Sequence, residues 1–306
     1  VTKLRAPFPW FGGKSKAAPA VWEALGNVDV YVEPFAGSLA VLLARPHAPR
    51  IETVNDLDCY LANFWRATAA DPEAVIRAAD WPVNEADLHA RHEHIRASRE
   101  ETQRRMHAEH AYYDAELAGF WLWGVCTSAN LANWLRDGVM GAGPNVSARP
   151  KPGVHRTGSA WQAELRALRD RLRNVRVLCG DWTRALTFSV LHGDRANPAL
   201  AGVLLDPPYA HAERDADCYG ANDSECSAAV RAWAVAHGED ERLRIVLCGY
   251  EGEHAMPASW RSVAWGTQGG WGNNGERGRR NKHRERLWLS PHCLRAVQGK
   301  LFAEAP

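Results

Sequence analysis

The stretch Gly202-Val203-Leu204-Leu205-Asp206-Pro207-Pro208-Tyr209 decides the fold of this 306-residue chain. Its apolar opening reads as a buried strand, and the prolines end it, because proline fixes φ and lacks the N–H a sheet ladder needs. The chain must leave the sheet at Asp206. It then displays a carboxylate, rigid backbone carbonyls and an aromatic ring at the strand's carboxyl edge, the edge where open α/β sheets bind ligands. Acceptors beside a stacking ring suit a planar aromatic amine, such as the exocyclic amino group of adenine.

Working outward, the same unit recurs. Residues 30–32 form a short β-rich run, followed by Glu33-Pro34-Phe35-Ala36-Gly37-Ser38 and an apolar helical pattern over 39–43. Residues 51–54 make a second strand, ending at Asn55-Asp56-Leu57-Asp58. Strand, polar turn, helix is the unit of a parallel sheet. Further strands are expected at 176–179 and 244–248, and a hairpin at 262–265 and 285–289 around a long polar loop. Trp161, Leu165, Leu168 and Leu172 share one stripe of an amphipathic helix. Between 59 and 135 strand signals vanish while Leu61, Phe64, Trp65 and Thr68 recur at helical spacing. The segment 138–158, rich in glycine, proline and arginine, reads as a loop. These shifts divide the chain into a catalytic α/β part, 1–58 with 159–306, and a helical insertion with its loop, 59–158.

Four acids follow four expected strands: Glu33, Asp56, Asp181 and Asp206. In a parallel sheet they converge on one edge, and an acid after the second strand typically receives ribose hydroxyls. Ala36, Gly37 and Ser38 let the backbone approach a ligand closely. Any one of these acids alone could be a helix N-cap. Together with Asp-Pro-Pro-Tyr they point to a nucleoside-cofactor site.

The ordered set Pro9-Trp10-Phe11-Gly12-Gly13-Lys14, Glu33-Pro34-Phe35-Ala36-Gly37-Ser38, Asn55-Asp56, Gly180-Asp181-Trp182 and Asp206-Pro207-Pro208-Tyr209 resembles the Dam-type (D12 class, group α) N6-adenine DNA methyltransferases. The likeness covers roughly 1–60 and 160–306 and is weak across the insertion, where such enzymes carry target recognition. It implies a class I, Rossmann-like, S-adenosylmethionine-dependent methyltransferase sheet with a mainly helical target-recognition insertion. It also implies transfer of a methyl group to N6 of adenine in double-stranded DNA. Trp10, Gly13 and Lys14 would border the cofactor, and Glu33, Pro34, Phe35 and Gly37 would line its methionine part. Asp56 would bind the ribose hydroxyls and Asp181 the cofactor adenine. Asp206 and the carbonyl of Pro207 would accept from the target amino group and Tyr209 would stack on the base, with Pro208 completing the catalytic tetrapeptide. No metal is required. In one departure, Leu39 stands where the family often has a second glycine; it could crowd the cofactor or sit inside the helix.

A local basic cluster follows the glycine-rich segment 269–275: Arg277, Arg279, Arg280, Lys282, Arg284 and Arg286, interrupted only by Glu276 and Glu285. It suits phosphate contacts or groove insertion; the plain alternative is a solvated hairpin loop. Arg149 and Lys151 form a second candidate, and Asn130 could reach bases beside the aromatic cluster Phe120, Trp121, Trp123 and Trp134, which itself reads first as core. His89, His92 and His94 read as a solvated helix rather than a metal site.

Composition bounds the rest. With 46% hydrophobic and 24% charged residues the chain resembles ordinary soluble domains. A net charge of +1 leaves any nucleic-acid signal local. Seven dispersed cysteines, none in a CxxC pair, and no secretion signal predict reduced thiols and a cytoplasmic protein. No apolar run is long enough to cross a bilayer. The expected partner is duplex DNA, met by a monomer or by a dimer on DNA. The competing functions are N4-cytosine methylation, against which Asp206 argues, and a catalytically silent methylase-derived DNA-binding protein, supported only by Leu39.

Overall fold

Seven strands form one sheet in the order β3-β2-β1-β4-β5-β7-β6 in the computed structural model, which describes residues 4–10, 12–128, 144, 154, 160–209, 223–265 and 284–295. They are β1 (Val30–Glu33), β2 (Ile51–Asp56), β3 (Val175–Cys179), β4 (Ala201–Leu205), β5 (Leu243–Tyr250), β6 (Arg261–Ala264) and β7 (Glu285–Leu289). The first five pair in parallel. β7 runs antiparallel to β5 and carries β6 as the expected hairpin. This is a Rossmann-like sheet, with its strand order reversing between β1 and β4, the crevice where such sheets bind ligands. Every residue of β1 and β4 is buried, which accounts for their unbroken apolar runs.

Helix α1 (Ala18–Leu25) covers one face, its Trp22 ring 4.6 Å from Tyr31 on β1. The short α2 (Ala40–Leu43) follows the β1 turn. Leu39 does not lie inside this helix. It precedes it with φ 54° and ψ 25°, the sole non-glycine residue at positive φ among the described residues. The turn forces this: the Leu39 N–H bonds the Ala36 carbonyl at 2.9 Å while Gly37 is itself at φ 47°. The Leu39 side chain is fully buried and packs inward as part of the core.

The helical spacing expected after residue 59 is met by α3 (Cys59–Ala70), α4 (Pro72–Ala79), α5 (Glu85–Ala97), α6 (Arg99–Ala108) and α7 (Ala115–Thr127). Its starts are written in the sequence. Asp58, Asp71 and Asp114 each accept a backbone N–H as N-caps of α3, α4 and α7, and Pro72 occupies the first turn of α4. Gly119 allows α7 to meet α4, since a Cβ there would lie 2.4 Å from that of Ala78. Trp121 and Trp123 are core residues, as the plainer reading had it; Trp134 lies outside the described residues. His92 is buried, against the expectation of a solvated helix, whereas His89 and His94 lie on the exposed side. Among the described residues no group of His, Cys, Asp or Glu could hold a metal ion, and no helix is long and apolar enough to cross a membrane. Helix α8 (Ala160–Leu172) buries its predicted stripe of Trp161, Leu165, Leu168 and Leu172.

Candidate active site

Parallel pairing sets Glu33, Asp56, Asp181 and Asp206 along one carboxyl edge. Asn55 ties the loops there together. Its side-chain Nδ2 donates to the Pro34 carbonyl at 3.0 Å and to the Gly180 carbonyl at 2.9 Å, joining the turns after β1 and β3 to the end of β2. Its backbone carbonyl accepts from the Ala36 N–H at 2.8 Å. Its Oδ1 is buried with no partner among the described residues, an unmatched acceptor beside the crevice.

Asp56 organises the glycine turn. Oδ2 accepts from the Gly37 N–H and Oδ1 from the Asp58 N–H, both at 3.0 Å. Burial, helped by the nearby Asp58 charge and opposed by these bonds, pushes its carboxyl up to about 6. Gly37 cannot carry a side chain easily: a Cβ would lie 2.8 Å from the Trp10 indole nitrogen, and φ is 47°. Trp10 thus lies against the turn, and Trp65 of α3 donates its indole N–H to the Gly37 carbonyl at 3.1 Å. Gly13 faces the same turn, its Cβ position 3.7 Å from the Ser38 hydroxyl. Phe35 stacks on Trp182, with centroids 6.3 Å apart and planes 23° from parallel.

Glu33 lies beneath the turn. Its Oε1 accepts from the Tyr31 hydroxyl at 2.6 Å and from the Leu42 N–H at 2.8 Å, leaving Oε2. Burial pushes its carboxyl up to about 8, with the Asp206 charge adding and the two hydrogen bonds opposing. Asp181 is exposed and caps the 3₁₀ turn Trp182–Leu186, accepting from the Thr183 N–H and hydroxyl. The N-cap alternative is therefore true of it.

At the fourth strand end, the Lys14 ammonium pairs with Asp206 Oδ1 at 2.8 Å and donates to the Gly12 carbonyl at 2.9 Å. Lys14 is 6% exposed, so an uncompensated ammonium would be costly here. Burial pulls its proton affinity down, but its pairing with Asp206 and the nearby Glu285 charge outweigh that and hold it above the ordinary lysine value. The ammonium stands 5.0 Å from the Tyr209 ring centroid and 5.9 Å from that of Trp265. Pro207 is buried and Pro208 half-buried. The Tyr209 hydroxyl donates to Glu285 Oε2 at 3.1 Å, and Tyr250 meets its ring edge-on at 4.8 Å. Burial, and then the charge of Asp206, raise the pKa of the Cys248 thiol well above the usual range.

The motif residues on the four strand ends thus come together with Trp10, Gly13 and Lys14. Sequence reading missed Asn55 as a clamp, and it missed Cys248, Tyr250, Trp265 and Glu285 around the tetrapeptide. Glu285 did leave a signal, an acid inside a basic run. Among the basic residues, Arg284 stands 5.9 Å from the Tyr250 ring. Arg277, Arg279, Arg280, Lys282, Asn130, Arg149 and Lys151 lie outside the described residues.

Comparison with known proteins agrees with this geometry. The model of the family described as D12 class N6 adenine-specific DNA methyltransferase matches residues 10–228. The match runs through the helical insertion, where the motifs alone showed little likeness, and ends before β5. No curated protein matches the chain. Covering well over half of the sequence and every strand-end acid of the site, the match settles its kind: the chain belongs to the D12 class of N6 adenine-specific DNA methyltransferases, enzymes that move a methyl group from S-adenosylmethionine to adenine in DNA.

Proposed function

We propose that the crevice over β1, β2 and β4 binds S-adenosylmethionine and that Asp206-Pro207-Pro208-Tyr209 receives an adenine extruded from duplex DNA. The observation that carries this is the convergence of four strand-end acids with Lys14 and Tyr209 on one edge, at the reversal of strand order. The residues fit the cofactor. The left-handed turn at Gly37, the Asn55 Oδ1 with no partner among the described residues and the exposed Asp181 suit a polar nucleoside ligand. Trp10, Gly13, Glu33, Pro34, Phe35 and Gly37 would surround its methionine part, Asp56 its ribose and Asp181 its adenine.

When bound, S-adenosylmethionine supplies an electrophilic methyl group on a sulfonium. The rest falls to the chain. The adenine amino nitrogen is conjugated with its ring and is a poor nucleophile. Asp206 Oδ2 and the Pro207 carbonyl, as two acceptors, favour a pyramidal nitrogen and stabilise positive charge developing on it. Lys14 holds Oδ1 and so orients the carboxylate. Extruding the base costs roughly a few kcal/mol, and stacking on Tyr209 returns about 1–3 kcal/mol. Arg277, Arg279, Arg280, Lys282 and Arg284, with Arg149, Lys151 and Asn130, would contact the DNA.

Purified protein, labelled cofactor and duplex DNA should yield N6-methyladenine, and Asp206→Ala should abolish turnover while sparing DNA affinity. Finding only methylated cytosine would defeat the proposal. Replacing Arg279, Arg280 and Arg284 together should weaken DNA binding and flatten its salt dependence by about three charges' worth; an unchanged slope would remove this loop from the interface.

A further inference from the structure

The far edge of the tetrapeptide is built by the antiparallel hairpin. Register pairs Glu285, the first residue of β7, with Tyr250, the last of β5, so both stand at the carboxyl edge of the parallel strands. Glu285 is 8% exposed. Its Oε2 accepts the Tyr209 hydroxyl at 3.1 Å, and its charge, with that of Asp206, sustains the Lys14 ammonium. Tyr209 is consequently held at three points: hydroxyl on Glu285, ring edge on Tyr250, ring face toward Lys14. A buried carboxylate is an expensive way to hold a phenol unless the ring's orientation matters. An aromatic platform serves alignment only if its plane is set before the base arrives, since misplacement of about 1 Å at a reacting centre can cost on the order of a hundredfold in rate.

We propose that Glu285 is a positioning residue for methyl transfer: it fixes the plane of the Tyr209 ring through the phenol hydroxyl, so that the platform for the extruded adenine is oriented in advance. This rests on the reading of Tyr209 as that platform. Glu285 touches neither the base nor the cofactor; its positioning role runs through the Tyr209 hydroxyl, while its charge also supports the Lys14 ammonium.

The test uses the full chain, labelled S-adenosylmethionine and genomic DNA free of N6-methyladenine, with kcat and the KM for DNA measured separately. Glu285→Ala should lower kcat on the order of tenfold or more while the KM for DNA stays within about twofold, because alignment rather than encounter is lost. Glu285→Gln keeps a carbonyl that accepts the hydroxyl and should restore most of the rate. Tyr209→Phe keeps a stacking ring without its anchor and should match Glu285→Ala. The double variant Tyr209→Phe with Glu285→Ala should be no slower than either single change, because both remove one contact. Melting curves verify folding. Should Glu285→Ala fail to fold, Tyr209→Phe probes the same contact from its other end. Normal turnover by Tyr209→Phe overturns the proposal, as do multiplied losses in the double variant or a Glu285→Gln enzyme as slow as the alanine form. Tyr209→Ala separates the two levels. If it turns over normally the platform reading fails; if it is slow while Glu285→Ala is fully active, only the role of Glu285 fails.

Discussion

Leu39 provides a prediction whose sign is diagnostic. At an ordinary helical position glycine is less stable than alanine by about 0.5–1 kcal/mol, through backbone entropy. At φ 54° the order should invert. A left-handed backbone costs a residue with a Cβ about 1–2 kcal/mol, and glycine almost nothing. Setting the two against each other leaves Leu39→Gly more stable than Leu39→Ala by about 0.5–1 kcal/mol. Both should be less stable than the natural chain, because the side chain is wholly buried and large-to-small core changes cost about 2–5 kcal/mol. Burial thus outweighs strain, which is how a leucine comes to occupy a turn position suited to glycine. Urea unfolding followed by tryptophan fluorescence reads the difference, with equal m-values required of the two variants. An alanine variant as stable as the glycine variant would mean that the backbone there is not left-handed, and the account of the turn would fail. Cofactor affinity should change little in either, since Leu39 faces the core.

Two further outcomes concern the crevice. Gly37→Ala places a Cβ 2.8 Å from the Trp10 indole at φ 47°, so titration calorimetry should find cofactor affinity sharply reduced; unchanged affinity would remove this turn from the binding site. Glu33 should make the ligand-free chain less stable as pH rises. Its carboxyl is held at about 8 against an ordinary 4.5, so the folded form retains its proton over a range where the unfolded form has lost it. The contribution is whole below 4.5, shrinks as pH climbs, and is gone above about 8. Glu33→Gln should flatten that slope in melting curves taken from pH 5 to 8, and an unaltered slope would refute the buried-proton reading.

The sheet was readable because each parallel strand announces itself twice, by an apolar run and by the acid or proline that stops it. Gly202-Val203-Leu204-Leu205 followed by Asp206-Pro207-Pro208 is the clearest case. Helix starts were readable for a similar reason, since Asp58, Asp71 and Asp114 are caps with a local job. What escaped was whatever depends on strands far apart in sequence. Asn55 bonds Gly180 across 125 residues and Tyr209 bonds Glu285 across 76, and no local pattern encodes either contact. Leu39 was misplaced because an apolar run favours helix by composition, whereas the hydrogen bond from its own N–H to Ala36 bends the backbone left-handed first. His92 was misread because its neighbours are polar although its own side of α5 is buried.

The ion pair between Lys14 and Asp206 determines how the central mutation must be read. Lys14 comes from the start of the chain, Asp206 from β4 and Glu285 from β7, so one buried ammonium joins three distant segments. Removing one partner of a buried pair leaves the other charge uncompensated, at a cost of about 3–5 kcal/mol. Asp206→Ala therefore threatens folding as well as chemistry, and an inactive variant alone would not separate the two. The double change Lys14→Met with Asp206→Ala removes both charges. It should recover most of the stability lost by Asp206→Ala while leaving methyl transfer at background. Recovery of stability without activity shows that the loss in Asp206→Ala is one of chemistry at the ion pair and not of folding. If the double variant regained turnover together with stability, Asp206 would be no more than the counter-ion of Lys14, and another acceptor would have to serve the adenine amino group.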